Sequence, residues 1–216
     1  MTLDIDQRER AALCDLFDEV GPDAPTLCGD WTTADLAAHL VVRERHPLAA
    51  PDILLGGRFE GTTEKLMARE LDRHGYGGVV ERVRTGPPPG PFSLRPVARL
   101  ANTIEFVVHH EDVRRPAGAG PRPDDGALQR AVWGLLGRGA RLVVAPGKLG
   151  PAGLVLAWPG AEPIIAHQPG DLGSATLTGD PVEVLLYLYG RKDDAAATLT
   201  GDDGAVARVR AAGFGI

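Results

Sequence analysis

The chain has 216 residues, a formal net charge of −6, and a composition of 44% hydrophobic and 24% charged residues that is ordinary for a globular protein. The negative charge argues against nucleic-acid and anionic-membrane partners, because both need a basic surface. No apolar run is long enough to span a bilayer, and the N-terminal MTLDIDQRER lacks a signal-peptide core, so we expect a cytoplasmic protein. Two cysteines without a Cys-x-x-Cys pair exclude a disulfide framework and a thiolate zinc finger.

The first half of the chain is predicted to be helical. Apolar residues at helical spacing predict a helix over about 4–20, which Gly21 and Pro22 end. A second helix is predicted over about 33–45, with Thr32 or Thr33 as its N-cap. Helical sequence over 62–84 is interrupted at His74-Gly75-Tyr76-Gly77-Gly78, which predicts two helical pieces.

A polar stripe runs along the next predicted helix, over about 94–114. Asn102, Glu105, His109 and Asp112 follow a 3-4-3 spacing, which places all four side chains on one face. The rest of the helix is mostly apolar and should be buried, and burying a carboxylate and an imidazole without partners costs several kcal/mol. A metal ion would supply that partner. The alternative is an ordinary surface pair of Glu105 and His109, contributing about 0.2–0.5 kcal/mol.

The last part of the chain is predicted to contain short strands as well as helices. Asp124 and Asp125 precede a further helix, and after about Ala145 short segments separated by Gly, Pro and Asp predict strands. We place these strands at 154–158, 163–167, 175–178 and 197–200. Helices are predicted at 182–189, capped by Asp180 with Pro181 in its first position, and from Asp202 to Ala212. The fold class is therefore α+β.

Three motifs together resemble the DinB-like, mycothiol-dependent maleylpyruvate isomerase family. They are WTTADLAAH at 31–39, Glu105-x-x-x-His109-x-x-Asp112, and a C-terminal run beginning LTGDPVEVLLYLYGRK at 177–192. The resemblance implies a DinB-like bundle of four or five helices over 1–146. It implies a small sterol-carrier-like α/β domain over 147–216.

The same resemblance implies a divalent metal, usually zinc, held by His39, Glu105 and His109, with Asp112 supporting a ligand rather than binding the ion. Three such ligands leave one position open. In the family that position is thought to accept the thiol of mycothiol. In the family's isomerase reaction, the mycothiol thiolate adds to a cis double bond conjugated to a carbonyl. Rotation about the new single bond and elimination of the thiol then give the trans isomer, with no redox change.

An anionic substrate requires cationic partners. We predict Arg191 as a catalytic residue, because the family's C-terminal domain places an arginine toward the site; a surface arginine near a helix end is the alternative. Arg43, one turn after His39, and Asn102 are assigned to cofactor binding. His74, His110 and His167 have no partner spacing and are interpreted as surface or packing residues. Trp31 is interpreted as a packing anchor.

The resemblance favours an isomerase or thiol S-transferase acting on a small electrophile. Alternatives are a metal-binding protein of the same fold with hydrolytic or non-catalytic ligand-binding chemistry, and a lipid-binding or interaction module based on the C-terminal domain. The expected partners are a small molecule and a thiol, and the protein is expected to be a monomer or homodimer.

Cys28 lies close in sequence to the first helix predicted to carry a metal ligand, and could be redox-sensitive. Only three of the 23 lysine and arginine residues are lysines, which is typical of GC-rich genomes such as those of actinobacteria.

Overall fold

A computed structural model of the protein describes residues 4–46, 60–87, 95–123, 125–144 and 147–214, without the side chains of 60–62, 95–101 and 142. The described part has an α+β architecture with seven α-helices and one four-stranded sheet. It falls into two compact units, residues 1–120 and 121–215. None of the described helices is long and apolar enough to cross a membrane.

Four helices and a short 3₁₀ turn build the first unit. They are α1 (Ile5–Val20), α2 (Thr33–Arg45), α3 (Glu60–Thr85), α4 (Arg95–Arg114) and the turn Arg115–Ala117. Helix α2 packs mainly on α3, whereas α1 packs on both α3 and α4. Their shared core is apolar and almost fully buried, and its largest side chains are Phe17, Phe106, Leu13, Leu36 and Leu40.

The interruption predicted at 74–78 is confirmed as a kink at Gly75, which divides α3 into two helical pieces. Gly75 has φ +64° and ψ 170° inside α3, a conformation that only glycine adopts readily. Tyr76 follows the kink, and its hydroxyl donates to the carbonyl oxygens of Phe17 (2.7 Å) and Gly21 (3.2 Å). The kinked helix is thereby fastened to the end of α1.

The second unit contains one sheet and three helices. Its elements are α5 (Gly126–Val143), β1 (Gly153–Ala157), β2 (Ile164–His167), β3 (Ser174–Thr178), α6 (Pro181–Leu188), β4 (Thr198–Gly201) and α7 (Asp203–Ala211). The strand order is β2-β1-β3-β4, with a central parallel pair, β1 and β3, and antiparallel strands at both edges. Helix α5 packs on α6 and β2, and α7 packs mainly on β3 and β4.

The division between the two compact units lies at residue 120, and the domain boundary after residue 146 stays a prediction from the sequence. Within the second unit, α5 contacts α6 and β2. Gln129 of α5 adds a polar link, since its Oε1 accepts a hydrogen bond from the backbone N–H of Val182 at 3.0 Å. The sterol-carrier-like domain over 147–216 stays a prediction.

Two of the predicted helix caps differ from the expectation. Asp180 and Asp202 occupy the N-cap positions of α6 and α7, but neither side chain bonds to its own helix. Asp202 instead accepts from the backbone N–H of Ser174 at 2.8 Å, which ties β4 to β3. Asp125 caps α5 as predicted, through the N–H groups of Ala127 and Leu128; Asp124 lies outside the described residues.

Candidate metal centre

Helix α2 begins with a capping box that fixes where His39 is presented. Thr32 Oγ1 accepts from the Asp35 N–H, and Asp35 Oδ2 accepts from the Thr32 N–H at 2.9 Å. Leu36 and Leu40 on either side of His39 are completely buried, so the apolar face of α2 anchors the helix in the core. The imidazole of His39 keeps 12% of its surface exposed.

Helix α4 presents Glu105, His109 and Asp112 along one stripe, while Phe106 and Val107 are completely buried. The Nε2 atom of His109 lies 3.2 Å from Glu105 Oε1. Its Nδ1 atom lies 2.8 Å from Asp112 Oδ2, and Asp112 has no exposed surface. Each ring nitrogen of His109 thus faces a carboxylate.

The two helices meet at Glu105. His39 Nε2 lies 3.4 Å from Glu105 Oε1, across 66 residues of sequence. The imidazole rings of His39 and His109 are 5.6 Å apart in an edge-to-face arrangement. One potential ligand atom from each of His39, Glu105 and His109 lies within 4.8 Å of the other two.

Electrostatics differ between the two histidines. Burial lowers the pKa of His39, and its hydrogen bond with Glu105 offsets this only in part. Burial acts on His109 in the same direction, but hydrogen bonds with Asp112, Cys28 and Glu105 raise its pKa well above the ordinary value. Burial alone would raise the pKa of Glu105, yet the contacts with His109, His39 and Arg43 hold it well below the ordinary value. The cluster therefore favours an ionised carboxylate between two imidazoles.

Arg43 and Asn102, the residues assigned to cofactor binding, lie together at this cluster. The Nε of Arg43 is 3.2 Å from Glu105 Oε1, and its Nη1 donates to Asn102 Oδ1 at 3.0 Å. Arg43 thus carries one positive charge against the Glu105 carboxylate and remains 17% exposed. It provides a cation at the edge of the site.

Two residues of the loop between α1 and α2 support the histidines. The indole ring of Trp31 packs on the imidazole of His39, with 5.2 Å between ring centres. The thiol of Cys28 donates to Asp112 Oδ2 at 3.1 Å and lies 3.9 Å from His109 Nδ1. The contact between Cys28 and Asp112 was missed by sequence reasoning, although the short distance from Cys28 to the WTTADLAAH motif was a signal for it.

The remaining predicted residues have the following contacts. Arg191 belongs to the second unit, where its Nη1 donates to the carbonyl oxygen of Tyr189, and its catalytic role stays a prediction. His110 pairs with the buried Glu9 at 3.3 Å, His74 lies 3.8 Å from Glu70, and the Nδ1 of His167 is 2.9 Å from the Ala152 carbonyl. These contacts agree with packing roles.

The chemistry of the donor set fits a zinc-like ion. Two imidazole nitrogens and one carboxylate oxygen are the ligand types of three-ligand zinc sites, which leave a position open. The carboxylate on Nδ1 of His109 leaves Nε2 to face Glu105 and His39, which is the usual arrangement behind a metal-binding histidine. His39 lacks such support: among the described residues its buried Nδ1 has no hydrogen-bond partner.

The fold and this cluster define an α+β protein whose helical first unit carries a candidate metal centre. Among solved structures, the chain is similar to a crystal structure of the mycothiol-dependent maleylpyruvate isomerase, with a TM-score of 0.58 and 14% identity over 92% of this chain and 91% of that chain. A histidine-to-alanine mutant of that isomerase aligns over the same shares at 14% identity, with a TM-score of 0.49.

Neither the family models nor the curated proteins compared with the sequence gave a match. The structural likeness shows that the chain has the fold of the isomerase, so the resemblance predicted from the three motifs is confirmed for the fold. The ligands, the metal and the reaction are matters of proposal.

Proposed function

We propose that the protein is an enzyme that depends on a divalent metal, with zinc as the ion. It uses a low-molecular-weight thiol of the mycothiol type, either to isomerise a small electrophile or to form an S-conjugate with it. The observation that carries the proposal is the convergence of His39 Nε2, Glu105 Oε1 and His109 Nε2, whose ligand atoms lie within 4.8 Å of one another. The fold shared with a mycothiol-dependent maleylpyruvate isomerase supports the reaction class.

The charges at these residues accommodate a divalent ion together with a thiolate. The carboxylates of Glu105 and Asp112 and the thiolate would carry three negative charges, against two positive charges on the ion and one on Arg43. When bound, such an ion would lower the pKa of a thiol in its open coordination position and keep it as a thiolate near neutral pH. Asp112 would hold the proton on Nδ1 of His109, so that the ring presents Nε2.

The chain's own residues would bind and orient the reactants. The guanidinium of Arg43, at the edge of the cluster, would attract the carboxylate of an anionic substrate or thiol, and Asn102 would hold that guanidinium in place. Arg191 of the second unit is the further cationic residue that we propose for the substrate. Isomerisation needs no oxidant, because addition and elimination of the thiol restore the double bond.

The position of Arg43 also suggests an alternative to the proposal, in which the cluster binds no metal ion. The charge of Arg43, together with a protonated His109, can balance Glu105 and Asp112 in the absence of an ion. A hydrolytic or non-catalytic metal-binding protein is the other alternative, because one fold supports several chemistries. Metal content separates the first alternative from the proposal, and thiol dependence separates the second.

The test begins with metal analysis of the purified protein. We expect about one zinc per chain, lost in His39→Ala and His109→Ala, because each removes one of three ligands. His74→Ala is the matched control, since it removes a partly exposed imidazole of the same unit away from the cluster. Equal metal content in all four proteins would contradict the ligand set.

The reaction is tested with maleylpyruvate and mycothiol as the first substrate pair. Turnover should require both the thiol and the metal, and should disappear in His39→Ala but not in His74→Ala. Turnover that survives complete metal removal would contradict the proposal. Turnover of an ester or amide with water alone would establish the hydrolytic alternative.

A further inference from the structure

His109 separates two groups of potential ligands. On its Nε2 side are Glu105 and His39, as described above. On its Nδ1 side, Cys28 Sγ lies 3.1 Å from Asp112 Oδ2 and 3.9 Å from Nδ1, while Asp112 Oδ2 and Nδ1 are 2.8 Å apart. Cys28, His109 and Asp112 offer one ligand atom each within 4.8 Å of one another.

The position of the thiol is set by the backbone of the loop between α1 and α2. The N–H of Leu27 donates to the carbonyl oxygen of Asp112 at 3.0 Å, which fastens the loop to α4. The hydroxyl of Thr26 accepts from the Cys28 N–H at 3.1 Å and donates to the Trp31 carbonyl at 2.8 Å. The loop therefore holds Cys28 against Asp112 through several hydrogen bonds.

We propose that Cys28, His109 and Asp112 form a second metal site that binds thiophilic ions such as cadmium. When this second site is occupied, the first site of His39, Glu105 and His109 cannot bind an ion at the same time. Thiolate ligands select soft ions, whereas the nitrogen and oxygen donors of the first group do not. Cys28 is partly exposed, so an ion can reach its sulfur, and the fully buried carboxylate of Asp112 completes the group from inside.

An ion at one site excludes an ion from the other because both sites use the same imidazole, that of His109. A neutral ring binds a metal through one nitrogen and keeps its proton on the other. An ion on Nε2 leaves the Nδ1 proton to Asp112, and an ion on Nδ1 leaves the Nε2 proton to Glu105, 3.2 Å away. In both arrangements a carboxylate accepts the remaining ring proton, so a neutral His109 can bind an ion at either site but not at both.

Protons balance in each case. When the ring of His109 is an imidazolium, the thiol of Cys28 and both ring nitrogens carry hydrogen before the metal binds. A cadmium ion at the second site replaces the thiol proton of Cys28 and the Nδ1 proton of His109, and both protons go to solvent. No oxidant or reductant takes part.

The test is a cadmium titration of the metal-free protein, followed by the ultraviolet charge-transfer band that thiolate-to-cadmium bonds produce. The chain has two cysteines, which gives a matched pair of variants. We expect wild type and Cys14→Ala to develop the band with about one cadmium per chain, and Cys28→Ser to develop none. A band that persists in Cys28→Ser, or that is absent from wild type, would overturn the second site.

The exclusion needs a separate measurement. Cadmium added to zinc-loaded wild type should release zinc as the band appears, and zinc release should be measured with a chromogenic chelator. Glu105→Gln should retain the cadmium band while binding zinc more weakly, because Glu105 is a ligand of the first site alone and the amide oxygen of glutamine can still accept the Nε2 proton of His109. Simultaneous retention of zinc and full development of the band would overturn the exclusion.

These outcomes do not depend on the proposed reaction. A protein without thiol-dependent turnover would still show the cadmium band and its loss in Cys28→Ser. Conversely, turnover in a protein that never shows the band would leave the proposed function intact and remove only the second site.

Discussion

Asp112 has no exposed surface, and its carboxylate determines how the imidazole of His109 is presented. A carboxylate behind a metal-binding histidine fixes the tautomer, orients the ring and raises its basicity. The thiol of Cys28 donates to the same oxygen, Oδ2. Asp112 therefore influences the cluster without facing Glu105 or His39.

We expect Asp112→Asn to weaken zinc binding by about 10- to 100-fold, because the amide keeps the shape of the side chain but loses its charge. The measurement is a competition with a chelator of known affinity. Asp15→Asn is the control, since Asp15 is an exposed carboxylate on α1 that pairs with Arg84. Equal zinc affinity in a folded Asp112→Asn protein would show that the charge of Asp112 has no part in metal binding.

At the scale of elements, the site depends on where α2 begins. The capping box of Thr32 and Asp35 fixes the first turn, and His39 follows about two turns later. Trp31, directly before the cap, packs on the His39 ring. The start of α2 thus connects the loop that carries Cys28 with the helix that carries a proposed ligand.

Thr32→Ala should lower the free energy of unfolding by about 1 kcal/mol, because the Asp35 N–H loses its acceptor at the helix start. Zinc content should be maintained, since Leu36 and Leu40 still anchor α2 in the core. Thr32→Ser keeps the hydroxyl and should restore most of the loss. Urea unfolding followed by circular dichroism measures the effect, and equal stability of the alanine and serine variants would contradict the role of the cap.

At the scale of the whole molecule, buried acidic groups should make the first unit sensitive to alkali. Burial raises the pKa of Cys14 to about 12, although Arg84 and Arg10 lower it in part. Burial also raises the pKa of Tyr76 to about 12 against an ordinary 10.0, although a hydrogen bond with Thr33 lowers it in part. Both groups stay protonated in the folded protein at pH values where they ionise in the unfolded chain.

The unfolded chain therefore binds fewer protons than the folded protein between about pH 9 and 12, and stability should fall as the pH rises through this interval. Tyr76→Phe should make the decline shallower above about pH 10. At neutral pH the same change should cost about 1 kcal/mol, because Phe17 and Gly21 lose a donor. Urea titrations across this pH range measure both effects; identical pH dependence in the two proteins would contradict the assignment to Tyr76.

The sequence predicted the individual helices and strands well. The bounds of α1, α2 and α4 agree within a residue or two with the prediction, because caps, Gly and Pro mark helix ends locally. The two helical pieces on either side of Gly75 were also predicted, because clustered glycines interrupt a helix locally. The contacts of α5 with α6 and β2 were not predicted, because the apolar face of a helix does not specify which element covers it.

The stripe on α4 could be read from spacing alone, since residues three and four apart on a helix share a face whatever surrounds them. The meeting of that stripe with His39 was expected only from the family resemblance, and the contacts of Cys28 and Arg43 were decided by the tertiary structure. The physical reason is distance along the chain. Local geometry fixes which side chains share a helix face, but contacts between residues 59 to 84 positions apart form only when core packing sets the position and rotation of each helix.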